Sequence, residues 1–426
     1  MTISEIYDLF KECNGVTTDS RFVHKDNMFF SLKGSNFNGN KYAKSAIEKG
    51  AKYAIVDDKE YAFDSQYIVV NDSLETLQKL SNYHRNISNI KVIGITGSNG
   101  KTTSKELINS VLKTSYNTVY TKGNLNNHIG VPLSMLEIKA DSEIAIIEMG
   151  ANHIGEIAFL CEICNPDFGY ITNFGKAHLE GFGDENGVIK GKKELYDFII
   201  NKMGLIFLNN DDAKQKNILK DYDNKYCFGK SDADVTYSIE SIEPEIELRV
   251  NEISIKSTLF GNYNAENIMA AVSIGKYFGI DLKKIKKGVS NYISSNNRSQ
   301  IIQKSSNKII LDAYNANPSS MMLTIKYFEE LSEKNKILIL GDMFELGKDS
   351  MMYHKEILEY CKDLKVDKVY IVGELFFETD HYQNFNYSKN VNELISKNEI
   401  SKIANSCILV KGSRGIELEK LIDYIS

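Results

Sequence analysis

Short runs of β-branched and aliphatic residues recur along the chain: YAIV (53–56), YIVV (67–70), KVIGIT (91–96), EIAIIEM (143–149), GYIT (169–172), GLIFLN (204–209), KIILDAY (308–314), KILILGD (336–342), KVYIVG (368–373) and CILVKG (407–412). Between most of them lie stretches with helical spacing, such as KTTSKELINSVLKTS and NAENIMAAVSIGKYFG. Strands that alternate with helices predict parallel α/β sheets. No convincing internal repeat is present.

The first 87 residues contain two strand-like runs and one clear helix, KYAKSAIEKGA (41–51), and predict a small α/β domain. Residues 88–295 open on a glycine-rich loop and run into NYISSNNRS (291–299), a polar stretch without apolar period that reads as a linker. Residues 296–426 carry four buried-type strands with helices between them and predict a third α/β layer. The expectation is an α/β protein of three domains, 1–87, 88–295 and 296–426. A length of 426 residues accommodates that number.

Composition narrows the class. Hydrophobic residues at 42% and charged residues at 25% are ordinary for a globular protein. A net charge of −6 gives no basic footprint for nucleic acid, though a local basic pocket for a small anion is compatible with it. The first fifteen residues show no signal-peptide pattern, and no run of 18 apolar residues predicts a membrane helix. Of six cysteines only Cys161 and Cys164 are close, with no second C-x-x-C and no H-x-x-x-H, so reduced thiols in a cytoplasmic protein are expected.

Four stretches carry candidate chemistry. GITGSNGKTT (94–103) follows a strand and opens a helix, the context of a phosphate loop. Its spacing departs from G-x-x-x-x-G-K-[ST], because the residue five before Gly100 is Ile95. Lys101 would face phosphates, Thr102 would offer a hydroxyl to Mg²⁺ or phosphate, and Thr103 would support it. In IIEMGANHIGEI (146–157), Glu148 ends a buried strand, where open α/β sheets bind ligands. Taken alone, it reads as a capping acid as readily as a Mg²⁺ ligand. In YITNFGKAHLEGFG (170–183), His178 is either a hydrogen-bonding loop residue or a cation ligand. GNLNNHIGVPLS (123–134) is either a turn cluster or a polar ligand loop built on Asn124, Asn126 and Asn127.

Together these motifs resemble the central ATPase domain of the Mur ligases, which form amide bonds with ATP in peptidoglycan precursor synthesis and use a shortened G-x-x-G-K-T loop. Gly97, Gly100, Lys101 and Thr102 match it, with Ser98, Asn99 and Thr103 beside them. The resemblance spans the chain. TTDSR (17–21) and MFFSLKGSNFNGNKYAKSAIEKGA are similar to the family's UDP-sugar domain, which implies contacts from Ser20, Arg21, Lys33 and Gly34. The family's D-G-H is here Asn38-Gly39-Asn40. GNYNAENIMAA (261–271) matches the segment near adenine through Asn264 and Asn267.

LDAYNANPSSM (311–321), LGDMFELG (340–347) and VKGSRGIELE (410–419) resemble the C-terminal domain, and His354 fits the same pattern. Y-N-A-N-P and G-D-M-x-E-L-G point to the family member that adds D-Ala-D-Ala to UDP-MurNAc-tripeptide.

The resemblance implies a central P-loop ATPase-like sheet, a Rossmann-like C-terminal domain and a monomer. It implies two Mg²⁺ ions, with Thr102 and Glu148 at the first and His178 at the second. It also implies an N6-carboxylysine ligand at Lys192, within IKGKKELYDF (189–198), where Lys193 stands in place of the usual glycine. Without the resemblance, 190–193 reads as a solvated basic helix face. Arg298, Asp312 and Asn315 are expected near ATP, and Asn317, Lys411, Ser413 and Arg414 near the substrates. Two alternatives stay open: a diaminopimelate- or lysine-adding ligase, against which the C-terminal motifs argue, and a non-catalytic nucleotide-binding regulator, against which the intact Lys101, Thr102, Glu148 and His178 argue.

Overall fold

The computed structural model describes residues 1–243 and 245–425. All ten apolar runs form strands, with ends within two residues of those expected. The central sheet has seven parallel strands in the order 235–236, 225–229, 205–209, 168–171, 91–96, 144–148 and 118–120. Lys91–Thr96 pairs on both sides, and its residues 92–96 are buried, which is why it reads as an unbroken apolar run.

Three departures from the expected pattern have physical reasons. The first domain has four parallel strands, not two: Val16–Thr17, Met28–Phe30, Tyr53–Val56 and Tyr67–Val69. Two or three residues show too little pattern to be recognised alone. The helix expected over 41–51 is a 3₁₀ turn at Gly39–Tyr42 followed by Ala43–Glu48. The sheets are also not wholly parallel. Ser238–Ser241, Ile246–Val250 and Ile253–Ser257 form an antiparallel meander, in which Ile246–Val250 alternates buried with more exposed positions and Ser238–Ser241 has no buried residue.

The third layer has six strands, not four, in the order 300–304, 307–312, 407–411, 336–341, 368–372 and 385–388; only the first pair is antiparallel. The two added strands are edge strands and only partly buried.

One apolar core continues from a face of the central sheet into the C-terminal layer. The linker is tethered: Tyr292 OH and Asn296 Nδ2 donate to the Glu106 carboxylate at 2.8 and 3.0 Å. Glu106 lies on Lys101–Leu112, the helix that leaves the phosphate loop. Among the described residues no helix is long and apolar enough to cross a membrane.

Candidate functional site

Register brings the central chemistry to one sheet edge. Thr96 is opposite Ile171, and Ile95 opposite Glu148, at the carboxyl ends of three adjacent strands. The chain then turns through Gly97 at φ +145° and Gly100 at φ +77°. A Cβ on Gly97 would stand 2.0 Å from Thr172 Oγ1, and one on Gly100 2.6 Å from Asn267 Oδ1. Only glycine allows this loop to lie so close to its supports.

Hydrogen bonds hold the loop. Ser98 N–H donates to Asn173 O at 3.0 Å, Ser98 Oγ to Gly175 O at 2.9 Å, and Asn99 N–H to Asn173 Oδ1 at 3.1 Å. Thr102 and Thr103 are buried in the first turn of the helix. Lys101 folds back on its own loop and donates to Gly97 O at 2.7 Å and Ser98 O at 3.2 Å. Burial lowers its pKa, opposed by the charge of Glu148.

Glu148 is 1% exposed. Asn126 donates to its Oε1 at 2.8 Å, while Oε2 is buried without a hydrogen-bond partner, 3.6 Å from Lys105 Nζ. Asn127 caps the next helix by accepting from Gly130 N–H at 2.9 Å, and Asn124 lines the cavity. Asn264 and Asn267 are braces: Asn267 donates to Asn264 Oδ1 at 2.8 Å and accepts from Ser104 Oγ at 2.9 Å beneath Gly100.

His178 adopts φ +53°, and its Nδ1 lies 2.5 Å from Glu345 Oε2, a close contact rather than a linear hydrogen bond. That contact is the main reason the Glu345 carboxyl sits below its usual pKa.

Lys192 and Lys193 have opposite surroundings. Lys193 pairs with Asp197 at the helix surface. Lys192 is fully buried, donates to Ala151 O at 3.0 Å and lies over the Phe182 ring. Burial, reinforced by the Lys101 charge, drives its pKa well below 10.5.

The C-terminal layer faces this edge. Parallel register sets Asp312 beside Lys411, and the two form an ion pair. The Arg298 guanidinium lies 3.5 Å from the Tyr314 ring centroid, and that of Arg414 5.3 Å away. Asn317 caps helix Pro318–Glu330 through Ser320 N–H at 2.9 Å, and its Nδ2 donates to Asn99 Oδ1 of the phosphate loop at 2.7 Å. Ser413 Oγ accepts from Phe344 N–H at 3.0 Å.

A cavity of about 1300 Å³ lies between the two layers. It gathers the loop from Ser98 to Thr103, Asn124, Asn126, Asn127, Glu148 and His178, together with Asn264, Asn267, Arg298, Asp312, Asn315, Lys411 and Arg414. Gly97, Lys192 and Asn317 do not line it but bond to residues that do, and Ser413 lies outside it, bonded to Phe344 beside the lining residue Glu345.

Ser20, Arg21, Lys33 and Gly34 are not brought to this cavity. Arg21 forks onto Asp19 at 2.6–3.1 Å, and Lys33 pairs with Asp57 at 2.9 Å. Asn40, where the Mur pattern has histidine, is fully buried and bonds Asn38 and Asp57, so its amide serves the fold.

Lys105, Asn173, Tyr314 and Glu345 are among the polar residues at the site that had no role assigned from sequence. Each lies inside a quoted motif. Lys105 carried a further signal, standing four residues after Lys101 on one helix face.

Three family models match the chain: Mur ligase family, catalytic domain, over 12–85; Mur ligase middle domain over 95–275; and Mur ligase, glutamate ligase domain, over 297–414. A Bacillus subtilis (strain 168) UDP-N-acetylmuramoyl-tripeptide–D-alanyl-D-alanine ligase is 35% identical, covering 96% of this chain and 92% of that protein. The chain belongs to the Mur ligase family. Two solved Mur ligases share its architecture. MurF from Acinetobacter baumannii has a TM-score of 0.85 at 29% identity, covering 99% of this chain and 98% of that one. MurF from Thermotoga maritima in complex with ADP has a TM-score of 0.85 at 27% identity, covering 98% and 97%.

Proposed function

We propose that this Mur ligase joins D-Ala-D-Ala to UDP-MurNAc-tripeptide with ATP, in cytoplasmic peptidoglycan precursor synthesis. The carrying observation is near end-to-end similarity to ligases of that name, with Y-N-A-N-P and G-D-M-F-E-L-G lying at the cavity mouth opposite the phosphate loop.

The tripeptide carboxylate attacks the γ-phosphorus and ADP leaves, giving an acyl phosphate. The dipeptide amine then attacks the acyl carbon, and the tetrahedral intermediate expels phosphate. Both steps set anions against anions, so positioning and charge neutralisation carry the catalysis. Lys101 leaves the carbonyls of Gly97 and Ser98 for the β- and γ-phosphates, which the N–H groups at the helix N-terminus also face. Arg298 and Lys411 supply positive charge from the other wall. Closure of the layers around the cavity would exclude water, which would otherwise hydrolyse the acyl phosphate.

The donors suit Mg²⁺. Among the described residues no cluster of three acidic, histidine or cysteine side chains forms a ready-made cage. Mg²⁺ takes one or two carboxylates plus phosphate oxygens and water, and Glu148 offers an unpartnered buried oxygen near the Thr102 turn. Thr102 and Glu148 would hold a first ion and His178 a second, and Mg²⁺ there would neutralise phosphate charge. Lys192 suits an N6-carboxylysine, because CO₂ adds to a neutral amine and burial shifts this amine toward the neutral form.

The test is phosphate release from ATP and UDP-MurNAc-tripeptide with and without D-Ala-D-Ala, with mass spectrometry of the product. Release that depends on the dipeptide, and a product heavier by one D-Ala-D-Ala unit, are expected. Turnover only with UDP-MurNAc-dipeptide and a single amino acid would reassign the chain to the preceding ligase.

A further inference from the structure

Glu345 belongs to a loop that is pinned from three directions. The Asp342 carboxylate accepts from Leu375 and Phe376 N–H at 3.0 and 2.9 Å. Met343 N–H donates to His354 Nε2 at 3.1 Å, and Phe344 N–H to Ser413 Oγ at 3.0 Å. Glu345 itself is at φ +63°, a left-handed conformation that costs a residue of this type about 1–3 kcal/mol.

Across the gap, His178 is also left-handed. The two backbones are docked to each other: Glu180 N–H donates to Glu345 O at 3.2 Å, and Gly347, at φ +62°, packs on Glu180. Two strained residues from different sheets therefore face each other, carboxylate to imidazole, at the wall of the nucleotide cavity. Strain of this kind persists where the surroundings over-determine it, and it clusters at functional sites.

An imidazole that binds a metal through one nitrogen usually has the other fixed by a carboxylate. The Glu345 carboxylate takes Nδ1 and leaves Nε2 with a lone pair to offer. We propose that Glu345 is a positioning residue for a divalent-cation site: it orients His178 from the C-terminal layer, so that the second cation site is complete only when the two layers are docked. This rests on the reading of His178 as a cation ligand.

The experiment uses the full chain with a non-hydrolysable ATP analogue and Mn²⁺ as the probe, counting bound ions by electron paramagnetic resonance. Wild type is expected to bind two ions, and His178→Ala to lose the weaker one. Glu345→Ala is expected to weaken that same ion about 10–100-fold and leave the tighter one unchanged. Glu345→Gln keeps an oxygen beside Nδ1 and is expected to stay near wild type, which also separates positioning from failure to fold. If His178→Ala loses the weaker ion but Glu345→Ala binds it as wild type does, the proposal is overturned and the reading of His178 stands. If His178→Ala binds both ions normally, that reading fails and takes the proposal with it.

Discussion

Gly97 shows how little freedom the site leaves a single residue. An alanine there would meet Thr172 Oγ1 at 2.0 Å while holding φ at +145°. Gly97→Ala is expected to cost about 1–3 kcal/mol from backbone strain alone and to abolish nucleotide binding, checked by thermal melting and ADP titration. Lys192 is constrained by charge instead. Its amine is buried, with a carbonyl oxygen as its polar partner and a pKa pushed down by that burial. Lys192→Ala is expected to reduce turnover by about 10²-fold or more, on the scale of losing one preorganised group. Intact-mass measurement of wild type under bicarbonate should show one added CO₂ that the variant lacks. Full activity in Lys192→Ala would remove the carbamate from the mechanism.

At the scale of elements, one cap residue serves two purposes. Asn317 starts the helix Pro318–Glu330 with its oxygen and reaches Asn99 with its nitrogen. Asn317→Asp keeps the acceptor and removes the donor. Helix stability should therefore hold, while ATP affinity falls by about tenfold, the scale of a hydrogen bond to a polar partner. Asn317→Ala should lose about 1 kcal/mol of stability as well.

Helix Ser73–Ile87 gives a pH signature. His84 lies buried between Tyr7 OH at 3.2 Å and Ile138 O at 3.0 Å, and burial lowers its pKa below 6.5. The folded protein resists taking this proton. Its stabilising effect is therefore complete above pH 6.5 and is lost as pH falls through and below that value. His84→Gln should flatten the fall in unfolding free energy below pH 6.5, by at most about 1.4 kcal/mol per pH unit.

The legibility of these elements followed their burial. Strands such as Lys336–Gly341 are buried along almost their whole length and could be read directly. Val16–Thr17, the 238–257 meander and Phe385–Ser388 are short or alternate with polar residues, and they went unread. At the site, the loop and Glu148 were legible because strand ends mark them. The roles of Glu345 and Tyr314 were not, because each depends on a partner far away in sequence, which no local pattern encodes.

For the whole molecule, the decisive fact is that the cavity belongs to neither half alone. Arg298, Asp312 and Lys411 come from one layer, and the phosphate loop and Glu148 from the other. The connection between the layers is tied to Glu106, on the first turns of the helix that begins at Lys101. Glu106→Ala should release the linker and broaden the distribution of molecular dimensions in small-angle scattering without ligand. A non-hydrolysable ATP analogue should restore the compact form. An unchanged scattering profile would show that the apolar core between the layers suffices to hold them.

The resting position of Lys101 has a consequence for which anions the free enzyme retains. Lys101 Nζ donates to Gly97 O and Ser98 O, inside its own loop. A lone inorganic phosphate must break both contacts and offers only one charged group in return. A triphosphate breaks the same two contacts and also brings a nucleoside that the facing wall can grip. Weaker binding of inorganic phosphate than of ATP is the expected outcome, measured by competition against a bound ATP analogue.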